Sequence, residues 1–162
     1  MGFLDKLSGK EEEFKSYHLR NGVLVESDER HKASISCDCS QMLKQLYKKG
    51  DPIDTHFLYL HLIDNAYSRR KDPEMRALFK KLATEHIDIF SSLRVPLLKE
   101  METLPHVPTF QFLATVYAED GEYEKAIEVC EKAIAFGLDD NTKSSYKGRI
   151  ERIKKKMSKS LH

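Results

Sequence analysis

Residues 109–140 read TFQFLATVYAEDGEYEKAIEVCEKAIAFGLDD, and this stretch constrains the fold more than any other part of the chain. Phe110, Leu113, Ala114 and Tyr117 recur at i, i+3, i+4, i+7, which gathers them on one face of a helix. Beyond Asp120-Gly121, residues Tyr123, Ala126, Ile127, Cys130, Ala133 and Ile134 repeat that spacing. Gly121 supplies the permissive backbone that a helix-ending turn needs. Glu122 and Glu124 stand in the first turn of the second helix, where the helix dipole favours negative charge. Small side chains at Ala114, Ala126 and Ala133 let two helix backbones approach, and Phe110 and Tyr117 fill the space beside them. The pattern predicts two antiparallel helices joined by a tight turn.

That order of large and small residues resembles one tetratricopeptide (TPR) repeat, a helix-turn-helix unit of about 34 residues. Leu113, Tyr117, Ala126 and Ala133 agree with the family signature, while Phe110 and Ala114 stand in place of its Trp and Gly. Cys130 replaces the preferred Phe, and Leu138 the preferred Pro. The likeness spans 107–140, and frames shifted by one repeat in either direction do not reproduce it, so it describes a single unit rather than an array. Such units bind other proteins. The resemblance implies that the first helix lines a concave ligand face, where Gln111, Phe112, Thr115 and Glu119 do not serve the internal seam. The Lys and Asn pair with which some members clamp a peptide carboxylate is missing, so an extended segment or a helix is the expected partner rather than a peptide C-terminus.

The rest of the chain fits a helical frame. The expected fold is mainly α, with antiparallel helical hairpins forming a short TPR-like solenoid behind a small N-terminal β-hairpin region. Residues 1–39 form the N-terminal segment: Phe3, Leu4 and Leu7 share one side of a short helix, and Asn21-Gly22 separates two strand-like runs. HKASISCDC, 31–39, reads as a third short strand. Residues 40–162 form the helical domain. Met42, Leu43, Leu46 and Tyr47 make a short helix, and Asp51-Pro52 and Asp72-Pro73 open two more, with Pro in its tolerated first-turn place. The first of these, with Phe57, Leu58, Tyr59, Leu60, Leu62, Ile63, Ala66 and Tyr67, is apolar nearly all round and belongs at the centre of the core. Pro96 is expected to kink or end the next helix near 93–95.

The last segment, 141–162, carries eight Lys or Arg residues and one Glu, a charge of about +7 that leaves about −6 on the first 140 residues. Tyr146, Ile150, Ile153 and Met157 form a narrow apolar seam, which predicts a basic helix over 141–158 capping the hairpin. The default for its charges is a solvated face, since the acidic remainder neutralises them. A net charge of +1 argues against nucleic acid or an anionic membrane as the main partner. Three cysteines without a recognisable signal peptide lead to the expectation of a reducing cytoplasm.

Two chemical readings compete with protein binding. Cys37 and Cys39, two apart, could both face one metal ion with His18 or His31 as further ligands, but zinc pairs are usually spaced more widely. Alternation in a strand would equally set both cysteines on one face as small packed apolar residues. His61, Asp64, Glu85, His86 and Asp88 could form a buried polar cluster for acid–base work, but no recognised catalytic motif accompanies them. The reading is therefore a non-enzymatic interaction module, with no catalytic residue, metal or cofactor. Its partner is another protein, and a homodimer would cover an open solenoid edge. A metal protein or small enzyme built on Cys37, Cys39 and the core histidines is the alternative.

Overall fold

A computed structural model describes residues 14–161. The phenylalanine and leucines at 3, 4 and 7 lie outside that range. The chain is mainly helical, with one small antiparallel hairpin at its start. Strand β1, Tyr17–Arg20, pairs with β2, Val23–Glu26, in a register that sets Leu19 opposite Leu24. Asn21 and Gly22 between them both have positive φ, 52° and 76°, the geometry that the Asn-Gly turn demands.

Seven helices follow: α1 Glu29–Ser34, α2 Cys39–Leu46, α3 Pro52–Ser68, α4 Pro73–Met101, α5 Thr109–Glu119, α6 Tyr123–Ala135 and α7 Ser145–Ser160. Four successive starts use an aspartate as N-cap. Asp28, Asp38, Asp51 and Asp72 each accept a backbone N–H from the first turn that they open. Among the described residues, no helix is long and apolar enough to cross a membrane.

Two expectations are corrected. Residues 31–39 are not a strand. Asp28 caps a helix over 29–34, and Ala33 packs in the core. Arg30, 4% exposed, holds that helix in place by donating to the carbonyls of Gln45, Leu46 and Asp51 and to the Thr55 hydroxyl. It thereby satisfies the C-terminal carbonyls of α2. Gly50 makes room for it, since a Cβ there would lie 2.8 Å from the Arg30 Cδ.

Of the two outcomes expected at Pro96, a kink or an end, the end does not occur. α4 runs through to Met101 because Leu93 and Leu97, on either side of the proline, are both buried in the core. Burying those side chains, at roughly 1.5–3 kcal/mol each, outweighs the single backbone bond that proline removes.

α3 is central, as its all-round apolarity predicts: it packs against α1, α2, α4 and α5. α5 and α6 form the helical hairpin, with Ala114, Ala126 and Ala133 fully buried at the close approach. Phe90 of α4 meets Phe110 and Phe136 edge-on, with centroids 5.6 and 4.9 Å away, and so joins the hairpin to the central helices. α7 closes the end through buried Tyr146 and Ile153, and it continues past Met157 to Ser160.

Candidate functional site

A cleft of about 280 Å³ opens between α5 and α7. Ala114, Ala118 and Ile153 give it an apolar floor, and Thr115, Glu119, Arg149, Arg152 and Lys156 line the rest. Small residues on α5 make this space: had Ala114 and Ala118 been large, the two helices would have closed over it.

The cations along the cleft differ in what they already hold. Arg149 donates from Nε to Asp140 at 2.9 Å and from Nη1 to the Thr115 hydroxyl at 3.4 Å. The Asp140 side chain is completely enclosed and also accepts from the backbone N–H and hydroxyl of Thr142. Burial works to raise the Asp140 pKa, but these hydrogen bonds prevail and hold it below the usual carboxylate range. Arg149 is thus a structural pin. Among the described residues Arg152 donates only to the Ser144 hydroxyl, at 3.1 Å. Neither Arg152 nor Lys156 has a carboxylate within 4.0 Å among the described residues, and both are exposed.

Of the four residues that the resemblance assigns to a ligand face, the structure brings Thr115 and Glu119 to this cleft. Glu119 also accepts from Arg70 Nε at 3.0 Å and Arg76 Nη2 at 3.4 Å, which turns its charge toward α4. The Arg70 hydrogen bond, partly offset by desolvation, holds the Glu119 carboxyl below its ordinary pKa. Phe112 lies elsewhere, stacked on Tyr67 of α3 with centroids 3.9 Å apart. Gln111 is half-buried and does not line the cleft, and its Oε1 has no hydrogen-bond partner. The α7 residues Arg149, Arg152, Ile153 and Lys156 were missed as site residues. The signal for them was the excess of positive charge flanking the seam of that helix.

Among the described residues, neither the cysteines nor the acid–base candidates enter a cluster of potential metal ligands; the cluster that does form is His18, His31 and Asp54. Cys37 is exposed with φ 58°, Cys39 is the first residue of α2, and Cys130 is buried in α6. Burial pushes the Cys130 thiol up to about 11. His61, Asp64 and Asp88 are exposed. Glu85 instead accepts hydrogen bonds from Tyr47 and Tyr59. His86 pairs with His56, which the sequence reading had not singled out. No family model, curated protein or solved structure matches this chain.

Proposed function

We propose that the chain is a non-enzymatic protein-interaction module that holds an extended acidic segment of another protein in the α5–α7 cleft. The observation that carries this reading is the pairing of an apolar floor with the rim cations Arg152 and Lys156, which have no carboxylate beside them among the described residues. Apolar anchors supply affinity in such a groove, and complementary charge supplies register and speed of encounter. The likeness of 107–140 to a TPR unit supports it, since the first helix of such a unit lines the ligand face. Thr115 stays on the contact surface, while Glu119 marks the acidic end of the groove, where a partner would place a neutral or basic residue. A cytoplasmic setting is part of the same proposal.

The probe is a fluorescein-labelled peptide of alternating Leu and Glu, compared with its Leu–Lys counterpart by anisotropy. The acidic peptide is expected to bind, with affinity that falls as salt rises. An Arg152→Glu/Lys156→Glu variant should lose it, while Lys48→Glu, an exposed change just after α2 and outside the cleft lining, should keep it. Equal binding of both peptides, or acidic binding that survives the double charge reversal, would refute the proposal.

A further inference from the structure

His18 of β1 and His31 of α1 lie face to face, with ring centroids 3.5 Å apart and planes 4° apart. Asp54 of α3, its side chain 3% exposed, places Oδ1 2.8 Å from His31 Nδ1. His18 Nδ1 lies 2.9 Å from the hydroxyl of Ser27. One donor atom from each of His18, His31 and Asp54 lies within 4.8 Å of the other two. His18 Nε2 is buried and has no hydrogen-bond partner. We propose that these three side chains form a site for one divalent transition-metal ion of the zinc, nickel and copper class, independent of the α5–α7 cleft.

The hydrogen bonds argue for it first. With Nδ1–H donated to Ser27, the His18 ring presents a lone pair at Nε2, and a buried acceptor left unmet destabilises the fold. A metal satisfies that acceptor. Metal-binding histidines characteristically donate their second ring nitrogen to an oxygen, as the Ser27 hydroxyl allows for His18. His31 Nδ1 and Asp54 Oδ1, 2.8 Å apart, would each turn to the ion in place of their mutual hydrogen bond. Imidazole nitrogens with one carboxylate suit zinc, nickel and copper better than calcium or magnesium, which prefer all-oxygen sets. Three protein donors also leave a coordination position for water.

Charge is the natural objection, because Arg20 donates to Asp54 at 3.0 Å. The same guanidinium reaches Asp51 at 2.5 Å and Glu100 at 3.4 Å, so three carboxylates surround one cation and the pocket stays negative. The buried Arg30 nearby donates to carbonyls and to the Thr55 hydroxyl. Arg20 and Arg30 together thus face three carboxylates, and a divalent ion still meets a net negative charge. To reach bonds of about 2.0–2.1 Å the donors must draw together by roughly 1 Å, a movement within reach of the His18 ring on its two-stranded ribbon. Because the donors come from β1, α1 and α3, the ion would fasten the hairpin to the helices.

The test titrates zinc chloride into the metal-free full chain by calorimetry and follows the thermal midpoint by circular dichroism. One zinc per chain should bind and raise the midpoint. His18→Phe keeps a ring in the stack but removes its nitrogens, and His31→Asn removes the second imidazole. Each should weaken binding about tenfold or more and abolish the zinc-dependent rise. A Cys37→Ser/Cys39→Ser variant should bind as the wild type does, and the visible spectrum of the cobalt(II) form should show nitrogen and oxygen donors without thiolate bands. Absence of binding, binding unchanged in His18→Phe, or binding lost in the cysteine variant would each overturn the site.

Discussion

The buried imidazoles of His56 and His86 share one hydrogen bond, Nδ1 to Nε2 at 3.0 Å, and the chain of contacts ends on the hydroxyl of Thr109, 2.8 Å from His86 Nδ1. It ties α3, α4 and α5 together inside the core. Either tautomer leaves one proton between the rings, and a second proton would set two N–H groups against each other. Burial lowers the His56 pKa from 6.5 to about 4, and burial together with the neighbouring imidazole lowers that of His86 well below 6.5. The unfolded chain therefore takes up protons before the folded one does. Stability is full above pH 6.5 and falls as the pH drops from there toward 4. His56 alone contributes a loss on the order of 3 kcal/mol across that window, or roughly 10 °C in thermal midpoint. Thermal unfolding followed at pH 7.5, 6, 5 and 4.5 reads the slope, and His56→Gln should flatten it.

The Asp140 pin has a different pH signature. Its carboxyl is held low by Thr142 and Arg149 against the cost of burial, so its contribution persists until the pH falls through and below the ordinary 3.8. Asp140→Asn keeps the shape and removes the charge that Arg149 answers at 2.9 Å. We expect a loss of about 2–3 kcal/mol at pH 7, read as a lower urea midpoint, with the pH slope between 4 and 6.5 unchanged. A steeper slope there would mean that Asp140 acts through the histidine pair.

How far the sequence foretold these features depends on the distance over which each is determined. Local signals read well: Asn21-Gly22 formed its hairpin, and Asp51-Pro52 and Asp72-Pro73 each began a helix. Residues 31–39 misled because Arg30, the residue that secures α1, finds its acceptors 15 to 25 positions away. No window along the chain contains that information. The site behaved likewise. Thr115 and Glu119 followed from helical spacing on α5, but the other wall of the cleft comes from α7, whose basic residues look like a solvated face until the two helices are side by side. Phe112 shows the reverse case: it faces off the hairpin seam as expected, and Tyr67 of another helix covers it.

Arg76 is a second long-range link, this time near the surface. Its Nη2 donates to the Val116 carbonyl at 3.3 Å and to Asp120 at 2.8 Å, beside Lys80, which reaches Asp120 at 2.5 Å. The Lys80 hydrogen bond is the main cause that holds Asp120 below its ordinary pKa, against partial desolvation and with help from Arg76. Arg76→Ala should destabilise by about 1 kcal/mol in dilute buffer, because half-exposed ion pairs are weak and one carbonyl loses a donor. Repeating the urea titration at 1 M salt should shrink the difference, since the Debye length there is only about 3 Å. An effect that ignores salt would assign the loss to the packing of the Arg76 stem.

Pro96 offers a change in the opposite direction. In a continuous helix it leaves the Ser92 carbonyl without its usual donor and presses its ring against that turn, a cost of up to about 3 kcal/mol relative to alanine. The proline also restricts the unfolded chain, which offsets about 0.4–1 kcal/mol of that cost. Pro96→Ala should therefore stabilise the protein by about 1–2 kcal/mol, seen as a higher urea midpoint with an unchanged slope. The gain should extend to the hairpin, because the turn after Pro96 carries Glu100, which accepts from the Asn21 backbone N–H at 2.7 Å and from Arg20. Amide exchange at Asn21 would slow in Pro96→Ala if the last turn of α4 is what steadies that contact. Stabilisation with no change at Asn21 would confine the effect of the proline to its own helix.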